Sequence, residues 1–208
     1  MFFGFNAAND TADRSPWGDF WFEPVGARSL AGVRVTPEKS LQLVAVFACV
    51  RVLAESFAVM TPRFYEPQAG GRKKWVTKHP VLDLLARRPN RWQNAFEWRE
   101  MLQGHLALRG NAFNRIYVDG RGRITDLVPI HPDRIKPEFI GETDYRYLVR
   151  DRAGAWMPVA RQDIWHIRGL GSDGVLGYSP IELAREAVAI GLAAQDYGAR
   201  FFANDARP

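Results

Sequence analysis

The stretch from Gly104 to Pro137 reads GHLALRGNAFNRIYVDGRGRITDLVPIHPDRIKP, and it contains a helix end, a hairpin and a turn in succession. Apolar residues at helical spacing stop at Gly110, which closes a helix in the left-handed conformation at little cost because it lacks a Cβ. From Ala112 to Val118 the spacing changes to two, the pattern of a strand. Asp119-Gly120 can supply the positive φ angles of a tight reversal, and Ile124 to Val128 is the returning strand. This stretch therefore predicts a helix that leads directly into an antiparallel hairpin.

Prolines and further strand patterns follow this hairpin. Pro129, Pro132 and Pro137 each remove a backbone donor, which predicts edge strands or irregular loops. Three more strands are predicted at residues 145–149, 156–159 and 163–168, with a turn at 152–154. The chain lacks the regular strand-helix alternation of a parallel sheet, so the predicted fold class is α+β, with helices packed on antiparallel hairpins.

Residues before this stretch predict two helices and a first hairpin. Thr36-Pro37 begins a helix that ends before Pro62, because Thr can cap the helix and Pro fits its first position. Residues 63–66 and 73–76 form a hairpin around Gly70-Gly71, and His79-Pro80 begins a short helix. The first helix is predicted to bury one face, in which the lone cysteine is a core residue. That face consists of Val46, Cys49, Val50, Leu53 and Phe57.

The central and last helices carry clear cap signals. Asn94 and Glu97 stand three residues apart before an apolar face, which predicts a reciprocal cap. Ser179-Pro180 with Glu182 predicts the start of a helix that runs to about Ala203. That helix is rich in alanine and glycine, so it is expected to pack closely on another helix, within the subunit or across a contact. The glycine-rich run at 169–177 matches neither a Walker loop nor a dinucleotide fingerprint.

Composition sets broad limits on the protein. A net charge of +5 over 208 residues is mild, and the single cysteine excludes an internal disulfide framework. No run is apolar enough for a secretory signal or a membrane span. Residues 1–35 are predicted to form an extended arm, and residues 36–208 a single α+β domain. The aromatic run Phe20-Trp21-Phe22 is expected to dock the arm on its own core or on a neighbouring subunit.

The four histidines offer a weak case for catalysis. None pairs with another at metal-ligand spacing, and no cofactor motif is present. The strongest enzymatic alternative is a small hydrolase that uses His131, Asp133 and His166, but Ser172 does not lie in a nucleophile elbow. The sequence therefore predicts a protein that is not an enzyme and needs neither a metal nor a cofactor.

Basic residues suggest a surface for nucleic acid in two places. A cluster at the first hairpin includes Arg72, Lys73 and Lys74, and a second group alternates with tyrosines at Arg146 and Arg150. Each also fits a solvated hairpin tip or the wet face of a half-buried strand. A monomeric DNA-binding module remains an alternative, although the arginines are scattered and form no long basic run.

Three segments in order resemble the portal proteins of tailed bacteriophages, in the family that includes the portal of phage HK97. They are LVAVFACVRVLAE from Leu43, RGNAF with LVPIHPDRI between residues 109 and 135, and IWHIR with DGVLGYSPI between residues 164 and 181. The resemblance covers residues 15 to 208. The motif positions that it marks as structural are Gly110, Asn111, Pro132, His166, Gly177, Ser179 and Pro180.

The resemblance implies a wing-like portal body and a role in assembly rather than chemistry. Family members form dodecameric rings at one capsid vertex, where the ring is a channel for duplex DNA without sequence specificity. The implied partners are other copies of the chain, the large terminase, the major capsid protein and the head-completion and tail proteins. The implied location is the virion, with assembly in the bacterial cytoplasm and no membrane contact.

The end of the chain departs from the family pattern. Family members commonly continue for about as many residues again after an Asn-Gly-Ala-x-Pro element, whereas this sequence reads Asn204-Asp205-Ala206-Arg207-Pro208. Asp205 stands where the family has glycine. The resemblance therefore predicts a portal domain truncated before the remaining ring-forming and terminase-facing elements.

Overall fold

The computed structural model describes residues 29–30, 32–141, 144–171 and 173–204. The aromatic run in the arm lies outside these residues. Within these residues, six α-helices and eight strands form an α+β fold, as predicted. The helices are α1 (Pro37–Ser40), α2 (Val44–Ala58), α3 (Pro80–Ala86), α4 (Ala95–Arg109), α5 (Pro180–Leu183) and α6 (Arg185–Ala203). The strands are β1 (Phe64–Pro67), β2 (Lys73–Val76), β3 (Asn111–Val118), β4 (Ile124–Ile130), β5 (Ile135–Ile140), β6 (Asp144–Arg150), β7 (Trp156–Val159) and β8 (Ile164–Arg168).

Helix α4 begins and ends as the sequence predicts. The Asn94 side chain accepts from the Glu97 amide, and the Glu97 side chain accepts from the Asn94 amide, which completes the reciprocal cap. Gly110 follows the helix in the left-handed conformation at φ 69°. The hairpin turn differs from the prediction, because Gly122, not Gly120, has the positive φ. The Asp119 side chain accepts from the Arg121 and Arg123 amides, so the turn is a longer loop in which the chain reverses near Gly122.

The strands form three antiparallel sheets. Strands β1 and β2 form a separate hairpin, and the two larger sheets have the orders β4-β3-β8 and β5-β6-β7. Pro129 in β4 and Pro137 in β5 both lie on outer strands, as predicted from their missing donors. In the β4-β3-β8 sheet, Phe113 of β3 lies between Ile130 and His166.

The β4-β3-β8 sheet is covered on both faces. One face packs on α4, through a cluster that contains Trp98, Leu102, Ala112 and Leu127. The other face packs on the β5-β6-β7 sheet, through Phe113, Ile164 and Tyr147 among others. A third cluster joins the start of α6 to the end of α4 and to Val35. The described core is therefore a stack of helix, sheet and sheet, with α2 packed on the outer side of α4.

The predicted burial of α2 is wrong in direction. The first predicted helix divides into α1 and α2 at Leu41–Leu43, and the buried residues of α2 are Ala54 and Ala58. Val46 and Val50 pack partly against the third cluster. Cys49 and Leu53 are exposed, and Phe57 is only partly covered. The buried face is narrower than expected and rotated away from Cys49, because small alanines permit the close approach to α4.

The last predicted helix is also divided. Ser179 caps it as predicted, but Ala184 leaves helical geometry and separates the single turn α5 from α6. Close packing occurs at Gly191, where an added Cβ would lie 2.9 Å from a Leu43 methyl group. Only the first half of α6 has buried residues, which are Val188, Ala189 and Leu192. None of the described helices combines the length and the apolar character that a membrane crossing requires.

Candidate interaction surfaces

The motif positions around the end of α4 converge on one junction. A Cβ on Gly110 would lie 1.9 Å from the carbonyl oxygen of Tyr178, and a Cβ on Gly177 would lie 2.2 Å from that of Gly110. The Gly169 amide donates to the Gly110 carbonyl at 2.8 Å. Ser179 donates to the Leu108 carbonyl at 2.9 Å, beside the end of α4. Glycine is therefore required where the loop before α5 crosses the chain between α4 and β3.

Asn111 and His166 form the polar centre of this junction. The Asn111 amide nitrogen donates to the carbonyls of Arg109 and Gly177, and its oxygen accepts from the Gly177 amide. The same oxygen lies 2.9 Å from Nε2 of His166, so that ring nitrogen is the donor. Nδ1 of His166 then accepts from the Tyr147 hydroxyl at 3.0 Å. Burial lowers the pKa of His166 to about 3, and the charge of Arg168 acts in the same direction.

The hydrolase alternative finds no support in this geometry. His166 stacks on Phe113 at 4.1 Å between ring centroids, on the sheet face that meets β5-β6-β7. His131 instead meets the ring of His105, which belongs to α4 on the opposite face. Both nitrogens of His166 already have hydrogen-bond partners. The predicted cluster of His131, Asp133 and His166 is therefore not assembled.

A charge network lies beside His131. Arg109 donates to both oxygens of Asp133 and also to Glu38, so it joins α4, α1 and the turn that begins at Pro132. Burial acts to raise the pKa of Asp133, but the hydrogen bonds and charge of Arg109 outweigh it and lower that pKa. Ligand atoms of Glu38, His131 and Asp133 lie within 4.8 Å of one another. Because Arg109 already meets both carboxylates, we interpret this group as a structural ion-pair network.

Two helical surfaces are apolar and exposed. We define the outer face of α2 as Val44, Ala45, Ala48, Cys49, Val52 and Leu53, all of which are exposed. We define the outer face of α6 as Ala187, Ile190, Ala194, Tyr197 and the half-buried Phe201, which recur at alternating steps of three and four. Val52 is 62% exposed and Tyr197 is 69% exposed. Apolar side chains at this spacing are typical of helices that pack against another helix.

The predicted basic residues differ in whether their side chains already contact other residues of the chain. Arg72, Lys73 and Lys74 are exposed at the tip of the β1-β2 hairpin. Arg146 forms an ion pair with Glu138 across β5 and β6. Arg150 donates to the Gly154 carbonyl and lies over the Trp156 ring. The hairpin group is thus the more available of the two.

Sequence reasoning missed several residues that matter here. Tyr147 and Arg109 were not identified as members of polar networks, because their partners are distant in sequence. The exposure of α2 was also missed. Its near absence of charge was the available signal, since an amphipathic surface helix would show a polar face.

Comparison with known proteins gives consistent matches. Residues 44–208 match the family described as phage portal protein. The chain is 29% identical to the portal protein of Enterobacteria phage HK97, over 88% of this chain and 43% of that protein. It is 33% identical to the probable portal protein of Streptomyces phage phiC31, over 88% of this chain and 42% of that protein. The chain therefore spans less than half the length of these curated relatives.

A solved structure gives the same fold. The neck of a native GTA particle, computed with C12 symmetry, contains a chain that superposes with a TM-score of 0.60. The two chains are 25% identical, and the match covers 83% of this chain and 47% of the other.

Proposed function

Because the chain belongs to the phage portal protein family, we propose that it supplies part of a ring-forming portal subunit at the capsid vertex. In this proposal the role of the chain is structural, and other components would carry out the chemistry of packaging. In this proposal twelve copies surround a channel through which duplex DNA enters and leaves the head. The C12 symmetry of the similar GTA neck supports this number.

The outer face of α2 is the observation that carries the proposal. A helix that is almost wholly apolar is normally buried. In α2, however, the six apolar residues of the outer face lie in contact with solvent. Its two charged residues, Arg51 and Glu55, pair with each other at 2.6 Å rather than forming a polar face. Exposed apolar surface of this kind marks a protein contact. We assign it to the contact between neighbouring subunits.

The outer face of α6 supplies the second half of such a contact. A ring is built from head-to-tail contacts, so each subunit must present two different surfaces that complement each other. The outer faces of α2 and α6 consist of different residues, and both are apolar. Their small and large side chains could interdigitate across a subunit boundary.

The remaining partners follow from the place of a portal in the particle. We propose that Arg72, Lys73 and Lys74 offer charge to DNA phosphates, with Arg146 and Arg150 as weaker candidates. Each subunit would contribute a few groups, and the ring would repeat them without sequence preference. The large terminase, the major capsid protein and the head-completion and tail proteins would dock on the assembled ring. Assembly would take place in the bacterial cytoplasm before the portal enters the virion.

The proposal can be tested through Val52. A Val52→Glu substitution places a charge on the outer face of α2 without disturbing a packed residue. We expect it to abolish or sharply reduce rings of a full-length relative carrying this domain, as seen by native mass spectrometry. The matched control is Arg121→Glu at the exposed β3-β4 turn, which should assemble normally. Unaltered rings from the Val52 variant would contradict the assignment of α2 to the subunit contact.

Cys49 provides an independent measurement on the same face. It is the only cysteine and is exposed in the single chain. A thiol reagent should therefore modify it rapidly in the monomer and slowly in the ring. Equal rates in both states would place the subunit contact elsewhere.

A further inference from the structure

Strand β8 has a free edge in the part of the chain that the structure describes. It lies at the end of the β4-β3-β8 sheet and pairs with β3 alone. The Gly169 amide donates to the Gly110 carbonyl, so Gly110 and Gly169 are a hydrogen-bonded pair of the ladder. Such pairs alternate along an antiparallel ladder, so the next ones are Ala112–Ile167 and Asn114–Trp165. The backbone groups of His166 and Arg168 consequently point away from β3. An exposed edge of this kind is a template for another strand.

A basic cleft borders one face of this edge. It has a volume of about 840 Å³ and lies between β8 and the β6-β7 strands. Arg161 and Arg168 both line it, and neither forms an ion pair with any residue that the structure describes. The Arg161 guanidinium is held over the Tyr145 ring at 4.6 Å. Asp144 also lines the cleft but forms an ion pair with neither arginine, so the cleft presents two unpaired cationic groups, one of them in a fixed position.

The floor of the cleft is formed by Tyr147 and His166. Burial raises the pKa of Tyr147, a hydrogen bond to Tyr145 adds to this, and the charges of Arg161 and Arg168 act in the opposite direction. Arg161, Arg168 and Tyr147 all line this one cleft. Because Tyr147 and His166 are neutral and bonded to each other, the positive charge of the cleft comes from the arginines.

An apolar groove borders the opposite face of the same edge. It has a volume of about 530 Å³, and Trp165 and Ile167 of β8 lie in its wall. The other wall comes from the helices, mainly Phe57 of α2 and Trp98 and Leu102 of α4. The groove and the basic cleft share Trp165, His166 and Arg168, so the two depressions meet at the edge of β8.

We propose that the free edge of β8 binds an extended peptide segment of a partner protein in which acidic and apolar side chains alternate. Successive side chains of a strand point to opposite faces of its sheet. A strand added to β8 would place its acidic residues beside Arg161 and Arg168 and its apolar residues in the groove beside Trp98. Main-chain hydrogen bonds would supply affinity, and the two depressions would supply specificity.

The backbone edge of β8 favours a peptide over nucleic acid. Phosphates would satisfy the arginines and bases could stack on the aromatic side chains of the groove. Nucleic acid nevertheless lacks the alternating N–H and C=O groups that the β8 edge would pair with. The proposal is independent of ring formation, because every residue in it belongs to one chain.

The binding test uses the whole 208-residue chain. The probe is a short labelled peptide in which glutamate alternates with valine, followed by fluorescence anisotropy. We expect saturable binding that Arg161→Glu and Arg168→Glu each weaken by about tenfold or more. The matched control, Arg121→Glu, makes the same charge change at a remote turn and should bind like the unmodified chain. Phe57→Ala should weaken binding from the apolar side.

A second measurement separates strand addition from simple charge attraction. A peptide of the same composition with its glutamates grouped together should bind much more weakly. Hydrogen exchange at the amides of His166 and Arg168 should slow when the alternating peptide binds. The proposal is overturned if the grouped peptide binds equally well, if those amides show no added protection, or if the chain binds oligothymidine but not the alternating peptide. It is also overturned if neither probe binds.

Discussion

Helices α2 and α4 both have 15 residues, but α2 is mostly exposed to solvent and α4 lies in the core. Helix α2 is almost wholly apolar, yet most of its residues face solvent. Helix α4 carries four charged residues, yet it buries Trp98, Leu102 and two arginines. The difference shows that mean apolar character does not decide which helix forms the core of a single chain. Periodicity and the satisfaction of polar groups decide it, and surplus apolar surface indicates a contact made later.

The buried arginines of α4 explain how a charged helix can be central. Arg99 donates to the Ala58 carbonyl through two nitrogens and to the Leu85 carbonyl through a third. It therefore satisfies the carboxyl ends of α2 and α3, where backbone acceptors lack helical partners. Burial lowers the pKa of Arg99, but the group remains a cation far above neutral pH. Arg109 likewise meets two carboxylates at the other end of the helix.

The largest expected effect comes from truncating the centre of α4. Trp98 is 2% exposed and donates to the Asn114 side chain at 2.9 Å. Trp98→Ala should lower the free energy of unfolding by about 3–5 kcal/mol in urea melts. Trp92→Ala is the matched control, because Trp92 is 63% exposed. Similar small losses of unfolding free energy for both variants would contradict the contrast between α4 and α2, since α4 would then contribute no more to the core than a surface loop.

Acid should weaken α4 through His105. Burial lowers the pKa of His105 to about 4 from an ordinary 6.5, and the charges of His131 and Arg109 contribute. The unfolded chain takes up the proton first as the pH falls, so stability is full above pH 6.5 and is lost as the pH falls towards 4. The loss should be on the order of 3 kcal/mol. His105→Leu should make the urea midpoint less dependent on pH across this window, and an unchanged pH profile would count against burial of His105.

The end of α4 should be sensitive to the cap that follows it. Ser179 accepts from the Glu182 amide and donates to the Leu108 carbonyl. Ser179→Ala should cost about 1 kcal/mol of unfolding free energy or somewhat more, because both bonds are lost. Ser56→Ala, at an exposed position of α2, is the matched control and should be near neutral. A cost no greater than that of the control would argue that α5 does not anchor α4.

Local signals predicted most of this fold from the sequence. The reciprocal cap at Asn94, the left-handed Gly110 and the outer-strand prolines each depend on neighbouring residues, so they could be identified without tertiary information. The break at Ala184 and the rotated face of α2 could not, because both depend on packing between distant segments. The same limit applies to the sites. Arg161 and Arg168 line one cleft because a short turn joins β7 and β8, which belong to different sheets, and no spacing in the sequence reveals this.

The smallest effect on stability is expected from Leu53→Ala, for which the periodicity of the sequence alone predicts a large one. Leu53 was predicted to be a core residue, but it is 53% exposed on the outer face of α2. Leu53→Ala should therefore change the free energy of unfolding of the single chain by no more than about 0.5 kcal/mol. Leu102→Ala, the matched substitution in α4, should cost about 2–5 kcal/mol because Leu102 is 2% exposed. Urea melts of both variants at low protein concentration decide the point. A large loss from Leu53→Ala alone would mean that the outer face of α2 is already covered within the chain, and its role as a subunit contact would then be withdrawn.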